Sequence, residues 1–307
     1  MIRMRTLCIA LVSSSMLCCA RLEASRQPVE VEIHNVDLHV SPGITLHVEH
    51  LRGRFNPSGR RDVPYLDDAQ SYAVVVDSGR VAIDLASLNT LMTRTLAGDA
   101  SNVDRLKIGL NEKGELVQKG VIDGAVNVPF SVKATIEATP DGRLRVVTKS
   151  AKGFGIPMKQ MMKLFHIEMD DLLHVKPGHG VTVQDNDLLL DPATLLPPPV
   201  MRGQVTTARI EGNSVVQTFG DGAERHLSPP AMSRNYIYWR GGSLAFGKLT
   251  MAATDLELVD MDPKDPFDFN VERWNDQLVA GYSKTTEVRG LKAHMPDYND
   301  LPAARRR

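Results

Sequence analysis

The chain has 307 residues and is almost neutral, with 36 basic and 37 acidic side chains and a net charge of −1. This balance argues against nucleic acid as a partner, because domains that bind nucleic acid carry a basic patch or stripe. All three cysteines lie within the first 24 residues. The remainder therefore has no disulfide and no thiolate metal site, and at this length a hydrophobic core can stabilise a domain without disulfides.

Residues 1–24 predict a secretory signal peptide. Two arginines precede an apolar stretch from Thr6 to Leu17, and the small residues Ala20 and Ala24 suit cleavage. The apolar stretch is shorter than the roughly 20 residues that span a bilayer. We therefore expect an exported protein of the periplasm or the extracellular space. Removing the three Arg and one Glu of this segment leaves 33 basic and 36 acidic residues.

A lipoprotein is the alternative interpretation of the same segment. In that case Cys18 or Cys19 would become the acylated first residue of the mature protein. Met16 and Leu17 are bulky at positions where lipoprotein cleavage sites carry small residues, so we favour soluble export.

Alternation of apolar and polar residues predicts β-strands along most of the chain. The clearest hairpin consists of Val36–Val40 and Ile44–Val48, joined by Ser41-Pro42-Gly43. Its register follows from keeping the apolar side chains on one face. The predicted apolar pairs are Val40 with Ile44, Leu38 with Leu46 and Val36 with Val48, and the predicted polar pairs are Asp37 with His47 and His39 with Thr45.

A second meander covers residues 104–150, and further strands follow it. The predicted strands are Leu106–Leu110, Leu116–Asp123, Val128–Thr139, Leu144–Thr148, Val181–Val183, Leu188–Leu190, Val205–Glu211, Ser214–Phe219, Tyr236–Trp239, Leu244–Met251 and Leu256–Val259. The stretch Asp262–Phe267 is predicted to end the strands in an ordered turn that packs Phe267 and Phe269. Residues 291–307 are predicted to form a loose tail.

Two amphipathic helices complete the predicted fold. The first is capped by Asp84, carries Leu85, Leu88, Leu91, Met92 and Leu96 at helical spacing, and ends at Gly98. The second begins at Pro157 and covers Met158–Leu173. We therefore expect an α+β fold in which a long, curved antiparallel β-meander wraps around two helices. It forms one domain over residues 25–290, and the sequence leaves open a second lobe over residues 200–290.

A stripe of methionines along the second helix is the sharpest functional feature. Thioether side chains adapt to irregular apolar partners, so such a face suits a varied apolar ligand, although it also suits an ordinary core. We predict that both helices line a lipid-binding groove. The predicted lining residues are Leu88, Leu91, Met92, Met158, Met161, Met162, Phe165, Met169 and Leu173.

Four stretches of the chain resemble the LmeA family of exported phospholipid-binding domains, which is similar to the tubular lipid-binding superfamily. They are Ser78-Gly-Arg-Val-Ala-Ile-Asp-Leu-Ala-Ser-Leu88, Gly120-Val-Ile-Asp-Gly-Ala-Val-Asn-Val-Pro-Phe130, Pro140-Asp-Gly-Arg143 and Gly155-Ile-Pro157. The resemblance covers about a third of the chain. It implies a lipid groove between sheet and helices, and it carries over no catalytic residue.

Metal and enzyme chemistry find little support in the sequence. His39 and His47 share a polar strand face with Asp37, which would suit a zinc or copper site, but a solvated polar face is the favoured interpretation. The aspartates near Asp262 lack the spacing of a calcium loop. Motifs of hydrolases, phosphate loops and dinucleotide sites are absent. We therefore expect no metal, no cofactor and no enzymatic activity.

The predicted function is that of an exported protein that carries or sequesters a phospholipid or another amphiphile in the cell envelope. Transient contact with a membrane surface would accompany this role, and no nucleic acid is expected. The alternative is a structural or assembly factor of the envelope that has no ligand cavity. The two differ in whether an apolar cavity lies beside the helices.

Overall fold

A computed structural model describes residues 27–59, 61–96, 100–124, 126–157, 174–227, 233–286 and 290–302. The strands are, in chain order, β1 (Val29–Ser41), β2 (Ile44–Pro57), β3 (Tyr72–Asp84), β4 (Val103–Leu110), β5 (Leu116–Ile122), β6 (Val128–Ala138), β7 (Leu144–Gly153), β8 (Ile156–Pro157), β9 (Val181–Gln184), β10 (Asp187–Leu190), β11 (Val200–Gly203), β12 (Val205–Glu211), β13 (Ser214–Phe219), β14 (Tyr236–Gly241), β15 (Leu244–Phe246), β16 (Leu249–Met251), β17 (Thr254–Asp260), β18 (Phe267–Asn270), β19 (Tyr282–Thr285) and β20 (Leu291–Met295). The helices within these ranges are α1 (Leu85–Thr95), α2 (Pro192–Leu195) and α3 (Trp274–Ala280), and a 3-10 turn covers Tyr298–Asp300.

The large sheet has eleven strands and is built on the long strands β1, β2 and β3. Its main order is β12-β13-β3-β2-β1-β14-β17-β20-β19. Two short strands lie end to end along β3, because β13 pairs with residues 79–84 and β11 with residues 73–76. In the same way β14 pairs with residues 30–34 of β1, and β18 pairs with residues 36–39. Most pairs are antiparallel, but β11, β18 and β20 pair in parallel with β3, β1 and β17.

The large sheet curls because the alternation of inward-facing and outward-facing residues is interrupted near the middle of its central strands. Two residues instead of one separate the inward-facing Ile33 and Val36 in β1, and the same is true of Val48 and Leu51 in β2. Asn35 lies at the change in β1 and has a left-handed backbone with φ of 52°. Such bulges bend strands and increase their twist, and both halves of the sheet can then face the core.

The second sheet has seven strands, in the main order β4-β5-β6-β7-β10-β9, with β8 on the end of β7. The predicted meander over residues 104–150 is confirmed as β4 to β7. The apolar faces of the two sheets contribute to one hydrophobic core, which contains Val36 and Leu46 from the large sheet and Leu116, Ala134 and Val146 from the second.

Helix α1 lies at the junction of the two sheets. The predicted cap is confirmed, because the side chain of Asp84 accepts a hydrogen bond of 2.7 Å from the backbone N–H of Ser87. The hydroxyl of Ser87 in turn accepts a hydrogen bond of 3.0 Å from the N–H of Thr45 in β2. On the other side, the amide of Asn89 exchanges two hydrogen bonds of 2.7 Å with the backbone of Ile108 in β4. These short side chains attach the helix to both sheets.

Several predictions of strand pairing can be compared directly with the structure. In the first hairpin the pairs of Leu38 with Leu46, Val36 with Val48, Asp37 with His47 and His39 with Thr45 are confirmed. The pair of Val40 with Ile44 is wrong, because the register shifts after His39 and Ser41 pairs with Ile44.

The prediction of one strand over Leu244–Met251 is also wrong. Residues 244–251 form the small hairpin of β15 and β16. Gly247 lies between the two strands with φ of 54°, a conformation that interrupts a continuous strand.

The described part of the predicted loose tail, residues 291–302, is ordered, which corrects the prediction for these residues, and residues 303–307 lie outside the described part of the chain. Strand β20 pairs with β17, and its Ala293 and Met295 are fully buried. Of the described strands in residues 200–290, all except the hairpin of β15 and β16 join the sheet that β1 to β3 begin. The expected burial of Phe267 and Phe269 is confirmed, although these residues form β18 rather than a turn.

A buried glutamine holds this C-terminal region together. Gln277 in α3 has no exposed surface. Its amide donates hydrogen bonds of 2.8 and 2.9 Å to the carbonyls of Asp268 and Pro296, and it accepts one of 2.9 Å from the N–H of Asn270. One side chain therefore connects β18 to the segment that follows β20.

The second predicted helix, Met158–Leu173, lies outside the described residues. Among the helices of the described ranges, none is both long enough and apolar enough to cross a membrane.

Candidate functional site

An apolar cavity of about 230 Å³ lies between the two sheets, beside α1. The large sheet contributes Leu46 and Ile83 to its wall, and the second sheet contributes Leu116, Ile136 and Leu188. These strands place apolar side chains on alternate positions, so each sheet has one apolar face.

The three predicted lining residues on the first helix lie at this cavity. Leu88, Leu91 and Met92 all contribute to its wall. The other six predicted lining residues, Met158, Met161, Met162, Phe165, Met169 and Leu173, lie outside the described residues.

Two smaller apolar cavities share wall residues with the first. One, of about 90 Å³, lies under the second sheet and shares Met92, Gln118, Val146 and Leu188 with the main cavity. The other, of about 70 Å³, lies inside the curl of the large sheet and shares Met201. Each of the two smaller cavities therefore shares part of its wall with the main cavity.

Polar groups lie at one side of the main cavity. Arg143 donates a hydrogen bond of 2.8 Å from Nε to Asp141, and the hydrogen bonds from Thr139 and Arg143 lower the pKa of Asp141 to about 2. Asp191 caps α2 by accepting a hydrogen bond of 3.0 Å from the N–H of Ala193. The acidic groups of this rim are therefore already bonded within the protein.

Gln217 brings a polar group to the cavity wall. Its Oε1 atom is buried and has no hydrogen-bond partner within the described part of the chain. Buried polar atoms in proteins are nearly always bonded, so an unsatisfied acceptor on a cavity wall is suited to a ligand that donates a hydrogen bond.

A buried acidic cluster lies on the opposite face of the large sheet. Glu32 is 3 % exposed, and its carboxylate accepts hydrogen bonds from the hydroxyl of Tyr236, from His226 at 2.7 Å and from the N–H of Leu227 at 2.5 Å. Burial and the neighbouring Glu32 raise the pKa of Tyr236. Both oxygens of Glu32 are used to hold residues 221–227 against the sheet, so the cluster is structural in character.

A second polar group on that face has the arrangement of a hydroxyl, an imidazole and a carboxylate. Thr45 Oγ1 lies 3.0 Å from His39 Nδ1, and His39 Nε2 bonds to Asp268. Hydrolase chemistry also needs a substrate pocket beside the hydroxyl. Neither Thr45 nor His39 lines the cavities described above. Cross-strand bonding on a polar sheet face accounts for the group.

The histidines considered as metal ligands have other partners. His47 lies 2.7 Å from Asp37, and the hydrogen bond to this carboxylate raises the pKa of His47. Among the described residues, no three His, Cys, Asp or Glu side chains are arranged to hold a metal ion.

Comparison with known proteins adds no assignment, because no family model, no curated protein and no solved structure matches the chain. The resemblance to the LmeA family therefore stays a prediction.

The walls contributed by residues 188–219 were missed by sequence reasoning. Leu190, Met201, Val215 and Phe219 line the main cavity. The alternation in Val205–Glu211 and Ser214–Phe219 identified an apolar face for each strand. The alternation did not indicate which other apolar face in the fold each of these strands would pack against.

Proposed function

We propose that the protein binds a lipid or a similar amphiphile in the cavity between its two sheets, and that it carries or sequesters this ligand outside the cytoplasm. The observation that carries the proposal is the apolar cavity of about 230 Å³ beside α1, with polar groups at one side. Apolar cavities with a few polar groups are the usual form of small-molecule sites.

Burial of hydrocarbon supplies the binding energy in this proposal. Each methylene group transferred from water gains about 0.8 kcal/mol, so a chain of modest length binds without any covalent chemistry. The unsatisfied Oε1 of Gln217 suits a hydroxyl or amide donor near the head of the ligand.

The size of the cavity favours a single hydrocarbon chain. Its volume of about 230 Å³ is below the roughly 300–1,000 Å³ of pockets that hold drug-sized ligands. The adjoining cavity of about 90 Å³ would receive the end of a longer chain.

The second amphipathic helix and export from the cytoplasm are further parts of this proposal. Val175, which follows the predicted helix, lines the second cavity and forms a β-bridge with Ser101. The described chain therefore lies beside the second cavity at Val175. Export is supported by the signal-peptide pattern of residues 1–24.

The test is lipid uptake by the purified protein and by a variant with a filled cavity. Protein purified without detergent should release bound lipid that mass spectrometry detects, and it should take up a fluorescent fatty acid. Leu88→Trp places a large side chain in the cavity wall and should abolish uptake. Ala86→Trp adds the same side chain at an exposed position of α1 and serves as the matched control.

Absence of both co-purifying lipid and uptake would refute the proposal. Equal uptake by the two tryptophan variants would place the ligand elsewhere. Either result would favour the alternative of a structural or assembly factor.

A further inference from the structure

The outer face of the second sheet carries an unusual concentration of lysines. Lys107, Lys119 and Lys152 occupy one row across the strands, because Lys107 pairs with Lys119, Lys119 pairs with Ser131, and Ser131 pairs with Lys152. Lys133 lies in the next row, opposite Val117 and Ser150. All four lysines are exposed.

The part of the chain that the structure describes offers these lysines no ion-pair partner. None of the four lysines forms an ion pair with a carboxylate among the described residues. Lys107 and Lys119 lie directly opposite each other on neighbouring strands, and like charges in this arrangement destabilise a sheet. Of the described acidic residues nearby, Asp104 pairs with Arg105, and Asp123 lies in the β5–β6 turn. The row of exposed lysines therefore has no acidic partner among the described residues.

An exposed apolar tip adjoins the lysines. Phe154 and Ile156 in the β7–β8 hairpin are 51 % and 46 % exposed, and Val126 in the β5–β6 turn is 67 % exposed. Both turns lie at the same end of the sheet, and the N–H of Phe154 donates a hydrogen bond of 3.0 Å to Pro129 at the start of β6. Large apolar side chains so exposed and so close together mark an interaction surface.

The position of Phe154 in its turn is unfavourable for folding. Gly153 pairs with Ile156, so Phe154 and Gly155 form a two-residue turn, with φ of 51° and 78°. Turns with two left-handed residues strongly prefer Asn-Gly, and a bulky aromatic residue is a clear outlier at the first position. Phe154 is also half exposed, so packing does not explain the residue at this position.

We propose that this face docks the protein on an anionic membrane surface. In this arrangement Lys107, Lys119, Lys133 and Lys152 lie over the phosphate groups, and Val126, Phe154 and Ile156 enter the interface. Basic residues near a bilayer attract anionic lipids, and apolar side chains add burial. The docked end is also the end where Ile122 and Phe130 line the second cavity. The proposal rests on surface charge and exposure, and it stands whether or not the cavity binds lipid.

The test is sedimentation of the purified protein with vesicles. Wild-type protein should sediment with vesicles of phosphatidylcholine and phosphatidylglycerol at low salt, less so at high salt, and not with phosphatidylcholine alone. Each lysine contributes about fivefold, so Lys107→Gln with Lys119→Gln should weaken binding roughly thirtyfold. The matched control is Lys248→Gln with Lys264→Gln, which removes two exposed lysines elsewhere and should bind like the wild type.

Phe154→Asn separates docking from folding. Asparagine is favoured at this turn position, so thermal stability should be kept or raised, while vesicle binding should fall roughly tenfold because burial of the ring is lost. Leu88→Trp should dock normally, which distinguishes this surface from the cavity.

Three results would overturn the proposal. One is equal binding to neutral and anionic vesicles, and another is equal loss in the lysine variant and its control. The third is undiminished vesicle binding by Phe154→Asn, because charge alone would then suit any polyanion, including nucleic acid.

Discussion

The two sheets differ in how far the basic side chains on their polar faces are paired with carboxylates. On the large sheet, Arg52 pairs with Glu30 at 2.8 Å, Arg54 with Asp77 at 2.6 Å and Lys292 with Glu257 at 2.9 Å. On the second sheet, lysines face one another without partners in the described ranges. The large sheet uses its polar side chains to hold its own strands and covering segment. The second sheet has the ion pair of Arg145 with Asp187 between β7 and β10, but its lysine row forms no ion pair among the described residues, so the charge of this row is available to a partner outside the chain.

The largest effect is expected at the buried carboxylate of the large sheet. Glu32→Ala leaves the Tyr236 hydroxyl, the His226 imidazole and the Leu227 N–H without their acceptor. We expect a loss of about 3–5 kcal/mol in the free energy of unfolding, measured by urea denaturation. Glu30→Ala on the same strand removes a partly exposed ion pair with Arg52 and should change the free energy of unfolding by less than about 1 kcal/mol. Similar losses for the two variants would show that Glu32 is not a central contact.

A pH-dependent effect is expected at the C-terminal end of the large sheet. Burial raises the pKa of Asp297 to about 7. The unfolded state therefore releases the proton of this carboxyl near pH 4, whereas the folded state keeps it up to about pH 7. The contribution of Asp297 to the free energy of unfolding should be greatest below about pH 4 and should decrease by at most about 4 kcal/mol as the pH rises to about 7. Asp297→Asn keeps an acceptor for the N–H of Asp268 and should flatten the unfolding profile over this pH range. An unchanged slope would assign the proton to another group.

A smaller effect is expected where the two sheets are joined. Asn89→Ala removes the two hydrogen bonds to Ile108 and should lower the free energy of unfolding by about 1–2 kcal/mol. It should also speed release of a bound fluorescent fatty acid, because the cavity lies beside this junction. Thr90→Ala on the same helix removes only a bond to Ala86 and should leave both measurements nearly unchanged. Equal release rates would mean that the junction does not control access to the cavity.

The smallest effect has the opposite sign and concerns the second sheet. Lys119→Glu replaces a like-charge pair with an attractive one opposite Lys107, so stability should rise by about 0.2–1 kcal/mol. Vesicle binding should fall in the same variant. A rise in stability with unchanged binding would separate the lysine row from docking.

Local elements were predictable because their signals are local. Asp84 before an apolar helical stripe identified the start of α1, and the register of Leu38 with Leu46 followed from keeping one face apolar. The shift at Ser41 was not predictable, because a bulge inserts one residue without changing the composition of the strand.

The candidate site was only partly predictable. The helical stripe identified Leu88, Leu91 and Met92, and these residues line the cavity. Part of the remaining wall comes from strands more than 90 positions further along the chain, including Leu188 and Val215. Alternation identifies an apolar face but does not identify its partner, because the partner depends on pairings between distant strands.

The sequence by itself determined the first helix and the strands with clear alternation, such as those of the first hairpin and the meander over residues 104–150, since side-chain periodicity and capping act over a few residues. Tertiary structure alone decided that β18 and β20 complete the large sheet, and that the two apolar faces enclose a cavity. It also decided the distribution of charge. A net charge of −1 describes a sum over the whole chain, whereas the row of lysines arises because strand pairing brings Lys107, Lys119 and Lys152 together.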